Sequence, residues 1–323
     1  MKSLGLPDLD VSEATPRQKR PADTGREVQA TMIPIDLSGK VALVTGVADN
    51  EGFAWAIAKA LQAAGARIVL SCHPRVMGIV ESILERDQDA ESRILPFGAG
   101  NFKPEKVLPC DVAFDTMDDV DEKTRTDRRY AKFADYSIKG VMDVIARDYG
   151  FLDILIHAVA FSPEIKNPMW QTSRKAYHTA LSVSAYSLTG LLRAAQPLMK
   201  DRGASAVALT YVGGERVVPH YGGGMSTAKA ALQIDAKQLA FNLGRNGGIR
   251  VNLISAGPYA SRAARAIGDI NQMIQHAAER SPLPRPIEAE EVANTTVFLC
   301  SPLASAITGQ IVYVDCGYNI MGV

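Results

Sequence analysis

From Lys40 onward, short uninterrupted apolar runs alternate with stretches whose apolar residues return every three or four positions. A short apolar run suits a strand buried on both faces, and the wider spacing suits a helix that covers it. On that pattern the expected strands are Lys40–Thr45, Arg67–Ser71, Lys106–Cys110, Asp153–His157, Ala204–Tyr211, Ile249–Ser255 and Gln310–Val314. The expected helices are Phe53–Ala64, Ser137–Tyr149, Thr172–Met199, Met225–Arg245 and Glu288–Leu299. Strands alternating with helices imply an α/β fold: a single doubly wound domain, with a parallel sheet and helices on both faces. It should occupy residues 33–323.

Three segments break the rhythm. Residues 1–32 are polar and rich in Pro and charge, and read as a flexible N-terminal arm or a strap onto a neighbouring subunit. Residues 87–132 carry the charge-dense run Asp118 to Arg129 and read as a solvated surface insertion around one strand. Residues 256–287 hold Gly257, Pro258 and prolines at 282, 284 and 286. They follow the carboxyl end of a strand, where ligands bind in open α/β sheets, so a substrate lid is expected there.

Charge narrows the function classes. Thirty-five basic and thirty-five acidic residues cancel, which gives no electrostatic reason to expect nucleic acid or an anionic membrane surface as partner. No apolar run is long enough to cross a bilayer. The arm lacks an apolar signal core, and Asp8, Asp10, Glu13, Asp23 and Glu27 argue against a transit peptide. A cytoplasmic setting is expected, or a plastid one in a eukaryote. Cys72, Cys110, Cys300 and Cys316 have no metal-ligand spacing and read as small buried hydrophobes in a reducing compartment. No metal site is expected.

The first strand–loop–helix unit, Val41 to Lys59, carries Gly46, Gly52 and Ala54. Gly46 would make the tight turn, Gly52 would let backbone approach a pyrophosphate, and Ala54 would let the helix pack closely. The phosphate charge would meet the helix N-terminus. The second strand ends Ser71-Cys72-His73-Pro74-Arg75, with no acid to hold a ribose hydroxyl. Arg75 could meet a 2′-phosphate there, which would favour NADPH, or be a surface arginine. Asp111 could accept from the adenine amino group or cap a strand end.

The densest chemistry lies between Tyr211 and Lys229. It gathers two phenols, Tyr211 and Tyr221, and one ammonium just beyond a buried strand. A phenol has a pKa of about 10 in water, and a nearby cation makes it a better donor at neutral pH. That suits a reaction in which negative charge builds on a carbonyl oxygen. Tyr221 and Lys229 are eight positions apart, so on a helix they roughly share a face. Taken singly, a buried tyrosine is ordinarily a core aromatic, and a helical lysine ordinarily points to solvent. His157 reads as a packed strand-end residue that could touch the cofactor, and His220 as a residue of the pocket mouth.

Tyr211, Tyr221-Gly-Gly-Gly-Met-Ser-Thr-Ala and Lys229 together resemble the enoyl-acyl-carrier-protein reductases of the short-chain dehydrogenase/reductase superfamily, in their plant-like and apicomplexan branch. The loop from Gly46, Pro163-Glu164, Thr172-Ser173-Arg174-Lys175, Ala256-Gly257-Pro258, Ser261-Arg262-Ala263-Ala264 and the run Ser301 to Gly309 resemble further signatures. The chain departs from the family at Ala158 in the His157-Ala158-Val159-Ala160 segment, at His73 where the branch commonly has Trp, and at Gly52-Phe53-Ala54.

The resemblance implies a Rossmann-type domain that reduces the C2=C3 double bond of trans-2-enoyl thioesters, carried on acyl carrier protein, in fatty acid synthesis. It implies NADH as hydride donor, with NADPH possible, and a homotetramer. Catalytic roles fall on Tyr211, Tyr221 and Lys229. Cofactor contacts fall on Gly46, Ala48, Gly52, Phe53, Ala54, Trp55, His73, Asp111, Val112, Ala158, Val159, Ala160, Lys229, Ala256, Gly257 and Pro258. The alternatives are a carbonyl reductase of the same superfamily, or a dinucleotide-binding regulator without catalysis. The upstream place of a carbonyl reductase's catalytic Ser is taken here by Tyr211, and the Tyr221–Lys229 spacing is longer than theirs.

Overall fold

The computed structural model describes residues 35–261, 264 and 270–322. The N-terminal arm and part of the expected lid, including Arg262 and Ala263, lie outside the described residues. The strands are β1 (Val41–Thr45), β2 (Arg67–Cys72), β3 (Lys106–Pro109), β4 (Ile154–His157), β5 (Ser205–Thr210), β6 (Arg250–Ala256) and β7 (Ile311–Val314). Each of the expected strands is present. They form one sheet in the order β3-β2-β1-β4-β5-β6-β7, with every neighbouring pair parallel.

The helices are α1 (Phe53–Ala63), α2 (Met77–Glu85), α3 (Glu122–Thr126), α4 (Ile138–Asp148), α5 (Arg174–Leu181), α6 (Ser187–Met199), α7 (Met225–Arg245), α8 (Ile270–Arg280) and α9 (Ala289–Cys300). Side-chain alternation along β1 shows how the layers form. Ala42 and Val44 face one core with Trp55, Ile57 and Leu61 of α1 and Val292 of α9. Val41 and Leu43 face a second core with Ile145 of α4, Leu191 of α6 and Leu232 of α7. Full burial of one such aliphatic side chain contributes about 1.5–3 kcal/mol. The amino end of the central strands is tied as well: the buried Asp153, just before β4, accepts from the Val41 N–H (3.0 Å) and from Arg202 (3.1 Å).

Three expectations need correction. The stretch 172–199 is not one regular helix, because a wide π turn at Ser182–Tyr186 separates α5 from α6. The insertion is not merely a solvated loop. Its Leu95 and Phe102 enter the main core, and Val120 and Tyr130 pack with Tyr136 in a small core of their own. Helix α2 was not expected, although Met77, Val80 and Ile83 are buried at helical spacing. Within the lid segment, α8 is formed.

Candidate active site

The chain leaves β1 toward β2 on one side and reaches β4 on the other, so the order reverses between β1 and β4. Such a switch point opens a crevice beyond the carboxyl ends of the strands. Gly46 sits there with φ +78°, and a Cβ on it would overlap the Ala158 carbonyl oxygen. Conformation and close approach both exclude a side chain. The loop is then set by Asp49, a residue the sequence reading passed over. Its Oδ1 accepts from the N–H groups of Glu51 (2.9 Å) and Gly52 (3.0 Å).

Within the folded chain itself, Gly52 is loosely constrained. Its backbone is extended (φ −85°, ψ 160°), and a Cβ there would meet only Asp49 Oδ1, at 3.6 Å. Its N–H is already held by Asp49, so neither conformation nor crowding demands glycine. The first turn of α1 carries no acidic residue, and a helix start of this kind offers backbone N–H donors to an anion. The chemistry of that end suits a pyrophosphate, with Gly46, Ala48, Phe53 and Ala54 as its candidate residues. The Phe53 ring lies 4.9 Å from that of Tyr259, from the segment after β6. Trp55 is a correction. Its side chain is 2 % exposed, packs edge-on against Phe102 and donates to the Ser92 carbonyl, so the insertion holds it away from any cofactor.

At the far end of the crevice, His73 follows β2 and Asp111 follows β3. Tyr130 of the insertion bridges them: its hydroxyl donates to Asp111 Oδ2 (2.7 Å) and lies 2.9 Å from His73 Nε2. Burial raises the Asp111 pKa, but hydrogen bonds from His73 and Tyr130 outweigh it and hold the carboxyl below its usual range. Asp111 Oδ1 accepts from the Ala113 N–H, so both oxygens are engaged within the protein. Val112 is buried in the core.

The reacting end is built where β5 stops. Tyr211 follows β5, and its ring meets the Tyr221 ring edge-on at 5.0 Å. Gly213 lies between them: a Cβ there would stand 2.8 Å from Tyr221 Cδ1 and 3.1 Å from Tyr211 Cδ1. Burial pushes both phenol pKa values well above 10. Lys229, on the second turn of α7, is 5 % exposed and donates to the Leu209 carbonyl (2.8 Å). Burial pulls its pKa down to about 8. The expectation that Lys229 acidifies Tyr221 is therefore corrected for this state, since burial dominates the phenol. The cation is felt instead at His157, whose pKa falls to about 3, first through burial and then through Lys229. His157 Nε2 lies 2.7 Å from Ser187 Oγ, inside the fold. His220 is exposed, with φ +65°.

The remaining expected residues lie at the carboxyl ends of β4 and β6. Ala158 and Val159 are partly buried and Ala160 is exposed. Ala256 and Gly257 are buried and Pro258 partly buried, with the Gly257 N–H donating to the Val314 carbonyl (2.9 Å). Among the described residues, no cluster of His, Cys, Asp or Glu could hold a metal ion.

A family model for enoyl-(acyl carrier protein) reductase matches residues 134–319. The chain belongs to that family. It is 48% identical to a chloroplastic enoyl-acyl-carrier-protein reductase (NADH) of Oryza sativa subsp. japonica, over 92% of this chain and 80% of the relative. It superposes on the Plasmodium berghei enoyl-acyl-carrier-protein reductase, solved with triclosan, with a TM-score of 0.84 at 38% identity, covering 88% of this chain and 98% of that one. The Bacillus cereus enoyl-acyl-carrier-protein reductase, solved with NADP+ and an indole naphthyridinone, gives 0.74 at 35%, covering 89% and 99%.

Several family signatures of the sequence meet in one clasp around the reductase's second phenol. Glu164 accepts from the Ser173 hydroxyl (2.7 Å) and N–H (2.8 Å), which fixes the start of α5. The Gly222 and Gly223 N–H groups donate to the carbonyls of Ile165 and Asn167, both at 3.0 Å. Ser162 donates to the Gly223 carbonyl (2.7 Å). A Cβ at Gly222 or Gly223 would overlap the Asn167 or Glu164 carbonyl, so these glycines bind Tyr221 to the 162–167 loop. Ser301 and Thr308, in another signature, hold backbone N–H groups of Leu303 (3.2 Å) and Val251 (3.0 Å) and so support turns.

Proposed function

We propose that this chain reduces the C2=C3 double bond of trans-2-enoyl thioesters carried on acyl carrier protein, with NADH as the reductant, as a step of fatty acid synthesis. The observation that carries the reading is the pair of edge-on phenols over Gly213, beside buried Lys229, at the carboxyl end of β5. The reductant supplies hydride to the β-carbon. The enolate so formed takes a proton at C2 from solvent, and the residues of the chain hold the reactants and stabilise the charge.

Tyr221 donates a hydrogen bond to the thioester oxygen as negative charge grows on it. Its raised pKa keeps the phenol protonated at neutral pH, so the donor is always armed. A preorganised donor of this kind lowers the barrier by about 3–4 kcal/mol. Lys229 binds the ribose hydroxyls of the dinucleotide and places its charge next to the reacting centre. Tyr211 forms the opposite wall and excludes water from the acyl chain.

A homotetramer belongs to the reading. Ile234 and Phe241 on α7 are 54% and 59% exposed, seven positions apart on one helix face, and fit a second copy of the chain. The four free cysteines fit a reducing compartment, cytoplasmic or plastid.

The test is an absorbance assay at the reduced-nicotinamide band with crotonyl thioesters. Cofactor oxidation is expected with the wild-type chain, and its collapse with Tyr221→Phe and with Lys229→Ala. Normal turnover in both variants would remove the roles assigned above. Sedimentation of the wild type against Phe241→Asp tests the assembly.

A further inference from the structure

Tyr211 leaves β5 with extended backbone (φ −151°, ψ 148°), and the chain then coils through one tight turn, Val212–Gly214. Among the described residues, no hydrogen bond holds the Tyr211 hydroxyl, so the place of its ring is set by that turn. The turn has short bonds of its own. The Gly214 N–H donates to the Tyr211 carbonyl (3.0 Å), and the Glu215 N–H to the Val212 carbonyl (2.9 Å). Those bonds shape the turn but do not fix where it stands on the rest of the fold.

Glu215 does that. Its Oε2 accepts from the Tyr313 hydroxyl on β7 (2.6 Å), and its Oε1 from the Gln233 amide on α7 (3.1 Å). The Gln233 amide also reaches the end of β5, where it donates to Thr210 Oγ1 (3.3 Å). Gln233 is 7% exposed and stands one helical turn beyond Lys229, on the same face. Gly214 brings the turn against that stretch of helix. A Cβ on it would stand 2.9 Å from the Ala230 nitrogen and from the Lys229 carbonyl carbon. Arg216 adds a tie toward the chain end, donating to the Met321 carbonyl (2.7 Å).

One carboxylate thus joins three elements: the turn that carries Tyr211, the helix that carries Lys229, and β7. Glu215 is itself exposed, and hydrogen bonds within reach of water add little to stability. Position is a separate matter. The Tyr211 and Tyr221 rings meet edge-on at 5.0 Å, so a turn that drifts carries both rings with it. A misplacement of about 1 Å at a reacting centre can cost about a hundredfold in rate.

We propose that Glu215 is a positioning residue of this site: by taking hydrogen bonds from Tyr313 and Gln233 together, it holds the Tyr211 turn in register with α7, and so with Tyr221 and Lys229. The proposal rests on the reductase reading and deepens it. Glu215 acts on the reaction through Tyr211.

The experiment compares Glu215→Ala, Glu215→Gln and Tyr313→Phe, each in the full chain, in steady-state reduction of crotonyl thioesters by NADH. Glu215→Ala should lower kcat by about tenfold or more. The KM of NADH should move by less than about twofold, because Lys229 keeps its bond to the Leu209 carbonyl. The melting temperature should fall by no more than about 4 °C. Glu215→Gln should return kcat to within about threefold of wild type, since its oxygen still accepts from Gln233 and its amide can donate to the Tyr313 oxygen. The double variant Glu215→Ala/Tyr313→Phe should be no slower than Glu215→Ala, because both changes break one bond.

An unchanged kcat in folded Glu215→Ala overturns the proposal. So does a loss that Glu215→Gln fails to recover, or losses that add in the double variant. A raised KM of NADH at constant kcat would put Glu215 at the cofactor instead, and the proposal is wrong. Absent turnover by the wild type would reject the reductase reading, and near-ultraviolet circular dichroism would still decide the tie. The difference between each chain and its Tyr211→Phe counterpart isolates the edge-on pair. That difference should change in Glu215→Ala and return in Glu215→Gln, and an unchanged difference rejects the tie.

Discussion

The two ends of the crevice are built on opposite principles. At the reacting end, Tyr211, Tyr221 and Lys229 are drawn out of water, and glycines at 213, 222 and 223 leave no space for any side chain. At the adenosine end, His73, Asp111 and Tyr130 form a hydrogen-bonded chain beside a half-open, cation-lined hollow. The first end depends on contact shape and desolvation, which a single methyl group disturbs. The second depends on polar partners and charge, which can be exchanged. The departure from the family's common residue at His73 and the cations of the insertion fall at the exchangeable end.

That contrast can be broken in order of size. Tyr221→Phe should lower kcat/KM by roughly 100- to 1000-fold with little change in melting temperature, since it removes one donor and keeps the ring. Gly213→Ala forces the two rings apart and should cost roughly ten- to a hundredfold in turnover, read by steady-state kinetics. A variant as active as wild type would show that the wall yields.

Lys229 gives the third test. If its charged form supports the reaction, kcat/KM of the free enzyme should fall as pH rises through about 8, and the limb should be absent from the residual activity of Lys229→Met. Stability moves the other way. Below about pH 8 the folded and unfolded states both carry the proton, so the cost of burying the charge is present in full. Between about 8 and the ordinary 10.5 the folded state sheds its proton first, and this site's contribution to stability rises with pH. The stability gap between wild type and Lys229→Met should therefore narrow over that window.

At the adenosine end the effects shrink. Tyr130→Phe should cost about 1 kcal/mol in denaturant unfolding, because Asp111 keeps His73 and the Ala113 N–H. Gly52→Ala should change stability by less than about 0.5 kcal/mol, as its extended backbone tolerates a methyl group. A large loss there would show that the folded loop itself requires glycine at this position.

The strands and the Tyr211–Lys229 grouping were legible because each leaves a local mark. A strand buried on both faces is a continuous apolar run, and the Tyr211–Lys229 segment is short enough to read as one motif. What escaped depends on contacts far apart in the chain. Tyr130 is an unremarked phenol in a charged stretch until β2 and β3 bring His73 and Asp111 beneath it. Trp55 sits next to the glycine loop in sequence but is drawn under the insertion by Phe102 and Ser92, close to forty positions or more away. Asp49 did carry a signal, an acid three residues before Gly52 in a turn, which is the spacing of a side chain that caps backbone N–H groups. Helix α2 was missed for want of a capping side chain at Val76, although its buried face was visible.

The π turn at Ser182–Tyr186 has a consequence of its own. Within it, Ser184 Oγ receives the Phe161 N–H (2.9 Å) and donates back to the Phe161 carbonyl (3.1 Å). Deleting one residue from the turn would rewind the rod evenly and rotate α5 by about 100° relative to α6. Ser184 would swing off Phe161, and Ser173 would leave Glu164. One surplus amino acid in a helix thus sets the angular phase of α5 and of the 161–167 loop bound to it.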